Sequence, residues 1–71
     1  MDISGFEKWI MKIADRGLFT RQIASQIICR YCDYPEKHGL IEGNLVKIEQ
    51  IDDEDPDMFI KLNQLINEML Y

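Results

Sequence analysis

A wide apolar stripe over residues 56–70 sets the tightest limit on what this chain can fold into. At ~100° per residue, Leu65, Met58, Met69, Leu62, Ile66, Phe59 and Leu70 fall inside an arc of roughly 140°. Asp55 reads as the N-cap and Pro56 as the first helical residue, which gives a helix over 56–70. So broad a stripe has to be buried, and in a chain of 71 residues it covers much of the core. Little room is left for a deep active-site cavity.

Two more helices are legible upstream. Ser4-Gly5-Phe6-Glu7 fits the S-x-x-E capping box and opens a helix over 5–16. Phe6, Trp9, Ile10 and Ile13 form its stripe, and Gly17 suits the left-handed position that ends it. Thr20 reads as the N-cap of a second helix over 21–32. Phe19 packs toward Ala24 as a hydrophobic staple, and Ile23, Ile27, Ile28 and Tyr31 share the apolar face. That helix stops before Tyr34, which precedes Pro35 and is pushed out of the α region. Residues 34–52 stay open. Gly43-Asn44 suits a two-residue hairpin turn, and Asn44 equally suits the cap of a short helix holding Leu45, Ile48 and Ile51. An isolated ribbon is marginal in water, so the balance tips toward helix. The expected fold class is all-α: one domain, a compact bundle of three main helices with a short irregular, helical or hairpin segment at 34–52.

Composition narrows the function classes. The net charge is −5, split between +2 over residues 1–30 and −7 over 31–71. Such acidity disfavours nucleic acid, where Lys and Arg on phosphate supply most of the affinity, and favours basic partners. No apolar run reaches the ~20 residues of a membrane span, and the first residues lack the pattern of a signal peptide. Two cysteines three residues apart offer no disulfide framework, so a reducing cytoplasm is expected.

The chemistry-bearing residues are few. Cys29-x-x-Cys32 with His38 supplies three conceivable zinc ligands, but the second Cys pair of a structural site is missing. Ordinary buried or semi-buried thiols and a turn histidine are the expected reading, with no metal and no cofactor. On a helical projection Cys29 nonetheless falls almost opposite the apolar stripe. Asp53-x-Asp55-x-Asp57 has the alternation of a calcium loop, yet no Gly follows in place and Gln64 stands where the bidentate Glu belongs. With no Gly-rich phosphate loop and no G-x-S-x-G, a non-enzyme is expected.

Two resemblances bear on function. Residues 20–27, Thr-Arg-Gln-Ile-Ala-Ser-Gln-Ile, resemble the opening helix of a helix-turn-helix, and residues 36–42 resemble the helix-to-wing junction of winged helices. This implies DNA contact through Arg21 and Arg30. The two pieces stand closer than a turn plus a full recognition helix requires, and no second helix carries basic residues, so transcriptional control is the alternative. In size and acidity the chain resembles small accessory proteins of bacteria and their phages, which act as regulators or stoichiometric inhibitors. In that class an acidic surface sometimes imitates nucleic acid, here through Asp52, Asp53, Glu54, Asp55 and Asp57.

The leading expectation is therefore a protein-protein interaction module that binds a partner with a basic surface and forms a homodimer. Asp52, Asp53, Glu54, Asp57, Met69 and Tyr71 are its expected contact residues. Trp9, Phe59 and the methionines of the last helix offer more apolar surface than three short helices need.

Overall fold

The computed structural model describes residues 3–71, and among them all regular structure is helical. Four α-helices follow one another: α1 (Ile3–Asp15), α2 (Arg21–Asp33), α3 (His38–Glu49) and α4 (Met58–Leu70). A single 3₁₀ turn, Pro35–Lys37, leads into α3. α1 packs on α2 and α3 on α4 as two helical hairpins, and α2 joins the pairs through contacts with α3 and α4.

α1 begins earlier than the capping box implies. Ile3 is already helical, so Ser4 lies inside the helix and cannot act as its cap, which requires a non-helical backbone. Phe6, Ile10 and Ile13 turn inward. The helix ends as expected: Gly17 sits at φ 85°, and its N–H donates to the Ala14 carbonyl at 2.9 Å. Thr20 then caps α2, its hydroxyl accepting from the Ile23 N–H at 3.1 Å. Phe19 and Ala24 are both buried, as a staple requires. α2 runs to Asp33 and stops at Tyr34, the residue before Pro35.

The open segment resolves as α3, with no hairpin. Asn44 does not cap it. It lies mid-helix at 3% exposure, donating from Nδ2 to the Leu65 carbonyl (3.2 Å) and to the Glu68 carboxylate (3.0 Å). Ile41, Leu45 and Ile48 bury fully beside it.

α4 starts at Met58, two residues later than the proline suggests. Asp55 is held in a tighter structure ahead of the helix: its Oδ1 accepts from the Asp57 N–H at 2.8 Å, and its carbonyl from the Met58 N–H at 3.1 Å. Leu62, Ile66, Met69 and Leu70 are buried, with Met58 and Leu65 half-buried. Phe59 departs from the stripe and is 71% exposed, although Met58 beside it in the first turn packs against the core.

An aromatic column ties the hairpins together. Phe6 stacks on Tyr31 (centroids 3.8 Å apart, planes at 10°), and Tyr31 stacks on His38 (3.7 Å, 8°). Trp9 meets Phe6 edge-on, and its indole N–H donates to the Glu49 carboxylate, linking α1 to the end of α3. No helix among the described residues is long and apolar enough to cross a membrane.

Candidate interaction surface

The core accounts for most of the large apolar side chains, so what remains outside it defines the surface. Phe59, Ile60 and Tyr71 on α4 or just beyond it are 71, 60 and 87% exposed. Val46 and Leu40 on α3 are exposed to a lesser degree.

The corner between α3 and α4 carries the acidic run, and local structure uses some of its carboxylates. Asp52 Oδ1 accepts from the Glu54 N–H at 2.9 Å. Asp55 takes the Asp57 N–H on one oxygen and the Lys61 ammonium on the other. The Lys61 contact first, and the backbone N–H second, hold the Asp55 carboxyl below its usual range; the same pairing raises Lys61. Asp53 faces Arg16 across 3.7 Å in an exposed ion pair, an interaction worth little in water. Glu54 and Asp57 present exposed carboxylates that form no hydrogen bond or ion pair among the described residues. Asp52 and Asp55 thus shape the corner, while Asp53, Glu54 and Asp57 face outward from it.

The other expected contact residues separate. Tyr71 is exposed, whereas Met69 is fully buried in the core and offers no surface to a partner. It falls near the centre of the α4 stripe, facing the rest of the bundle.

The candidate metal ligands also part company. His38 opens α3, half-buried, stacked on Tyr31 and donating from Nε2 to the Tyr31 carbonyl at 2.7 Å. It is no exposed turn histidine: it satisfies one of the last carbonyls of α2, which lack a partner within their own helix. Cys29 and Cys32 are free and exposed, on a helix that neither frays nor is covered there, so the expectation of buried thiols does not hold. Among the described residues no three His, Cys, Asp or Glu side chains gather as a metal site.

Arg21 and Arg30 lie nine residues apart on α2, ~180° around the helix axis from one another. Arg21 pairs with Asp15 at 3.4 Å, and Arg30 lies 5.9 Å from the centre of the Tyr34 ring. The next helix, α3, begins only at His38, inside the stretch that resembles the helix-to-wing junction, so nothing but the end of α2 and its turn lies between the two resembling pieces. The charged residues of α3 are Glu42, Lys47 and Glu49, a net acidic set.

Between α2 and the end of α4 runs an open groove of about 390 Å³, lined by Gln22, Ser25, Gln26, Cys29, Arg30, Leu70 and Tyr71. The tertiary fold creates it; nothing in the sequence pattern points to it. Comparison with protein-family models, with curated proteins and with solved structures finds no match for this chain.

Proposed function

We propose that the chain is a small protein-interaction module, a non-enzymatic regulator or stoichiometric inhibitor that binds a partner through its outer faces and also self-associates. One observation carries the reading. The outward carboxylates Asp53, Glu54 and Asp57 are followed, two and three residues after Asp57, by Phe59 and Ile60, two large apolar side chains left in solvent. An exposed aromatic anchor beside a charged rim is the composition of a docking site: the ring supplies affinity when desolvated, and the rim steers and selects the partner. Three carboxylates at one corner select a basic surface.

The test begins with affinity capture from extract of the source cell to identify the partner. Calorimetric titration with the wild type and two variants follows. Replacing Asp53 and Asp57 with Asn and Glu54 with Gln is expected to weaken binding at least tenfold and to flatten its salt dependence. Phe59→Ser is expected to weaken it comparably without changing thermal stability. Unchanged affinity in both variants overturns the reading. So does salt-sensitive binding of random duplex DNA that is lost in Arg21→Ala, which would favour the transcriptional alternative.

A further inference from the structure

Cys29 and Cys32 are the nucleophilic side chains that the proposed function leaves unused. Both are free and exposed near the end of α2. Three residues apart, they share one face of the helix, with Cα atoms ~5 Å and Cβ atoms ~5–6 Å from one another. That spacing is kept because the last turn of α2 is held in place. Ile27 and Tyr31 anchor it in the core. The Tyr34 N–H donates to the Arg30 carbonyl at 3.0 Å, and His38 Nε2 donates to the Tyr31 carbonyl at 2.7 Å. The Tyr31 ring is itself fixed between Phe6 and His38, with its hydroxyl on Glu42.

Three chemistries use paired thiols, and the geometry separates them. A disulfide needs Cβ atoms about 3.5–4.5 Å apart, closer than an intact helical turn places them. Structural zinc needs four ligands, and among the described residues no third His, Cys, Asp or Glu joins the pair. An ion satisfied by two thiolates meets neither obstacle. Two metal–sulfur bonds of ~2.3 Å laid end to end hold the sulfurs ~4.6 Å apart. Cβ atoms ~5–6 Å apart reach that span by side-chain rotation alone, with the backbone left helical. Cu(I) combines a preference for soft sulfur with stable two-coordination. We propose that Cys29 and Cys32 form a two-thiolate site for a soft monovalent ion of the Cu(I) type. On binding, each S–H bond gives way to a metal–sulfur bond, two protons pass to solvent, and no electron is transferred. The site lies on α2, apart from the acidic corner, and goes beyond the function proposed above.

The test is an anaerobic titration of the reduced full chain with Cu(I), in competition with a chromophoric chelator. One ion per chain is expected, accompanied by thiolate-to-copper absorption in the ultraviolet. Cys29→Ser and Cys32→Ser are each expected to weaken binding roughly a hundredfold or more, because either leaves a single thiolate in place of a chelating pair. Both positions are exposed, so circular dichroism and the thermal midpoint of the metal-free variants should stay at wild-type values. Wild-type affinity in either single variant overturns the proposal. So does one ion held between two chains, read as a doubled mass in sedimentation. Ready formation of an internal Cys29–Cys32 disulfide in a glutathione redox buffer, with helicity unchanged, overturns it as well, since the sulfurs would then stand closer than the helical turn sets them.

Discussion

The Tyr31 hydroxyl donates to the Glu42 carboxylate at 2.6 Å, joining α2 to α3 at the middle of the stacked column of Phe6, Tyr31 and His38. The bond to Glu42, followed by burial, pushes the Tyr31 phenol from its ordinary 10.0 up to about 12. A raised phenol means the fold favours the protonated form. Its contribution is complete below pH 10 and is lost as pH climbs through about 12. Urea unfolding across that window is expected to show the wild type losing more stability than Tyr31→Phe, which keeps the ring and lacks the proton. Parallel curves would contradict the assignment. At neutral pH, Tyr31→Phe is expected to cost about 1.5–3 kcal/mol, as for a hydrogen bond to a charged acceptor.

Two glycines should respond in opposite directions to alanine. Gly17 ends α1 at φ 85°, with nothing within 4 Å of an added Cβ, so Gly17→Ala meets backbone strain alone and is expected to cost about 1 kcal/mol. Gly43 lies inside α3 with the same open space and an ordinary backbone. Gly43→Ala is therefore expected to stabilise by about 0.5–1 kcal/mol. Thermal midpoints of the two variants, displaced to either side of wild type, check both helix assignments at once.

Asn44 bridges α3 to α4 through two hydrogen bonds from one amide nitrogen. Asn44→Ala removes both and opens a small void, with an expected loss of about 2–3 kcal/mol in chemical denaturation. Asn44→Asp should cost at least as much, since a carboxylate would face the Leu65 carbonyl and the Glu68 carboxylate. Wild-type stability in either variant would mean that this bridge is not formed in solution.

Leu62 and Phe59 stand three residues apart on α4 with opposite burial, 5% against 71%. Leu62→Asp places an unpaired charge in the core and is expected to abolish the cooperative unfolding transition. Phe59→Asp should leave far-ultraviolet dichroism and the thermal midpoint close to wild type. If the two variants unfolded equally, the register of α4 would be wrong.

Several parts of this fold are written in single residues and others are not. Gly17, Thr20 and Pro35 each act through local backbone chemistry, so the end of α1 and both ends of α2 can be placed from the sequence. α3 escapes that reading because Gly39, Gly43 and Asn44 are helix-weakening residues, and its buried face includes the polar Asn44, whose partners lie 21 and 24 residues away. The start of α4 is displaced because Asp55, the expected cap, spends its carboxylate on the Asp57 N–H and on Lys61. The acidic corner is visible as composition, but which carboxylates shape the turn depends on geometry. The groove beside Tyr71 depends on how α2 meets α4, a long-range contact that periodicity does not encode.

Nuclear magnetic resonance titration of the labelled protein with its captured partner tests the central claim most directly, because it reads every backbone amide at once. The account predicts shifts concentrated at Asp53, Glu54, Asp57, Phe59 and Ile60, with Phe6, Tyr31 and Leu45 in the interior left unmoved. Shifts centred on the interior, or on α1 with the acidic corner silent, would contradict it.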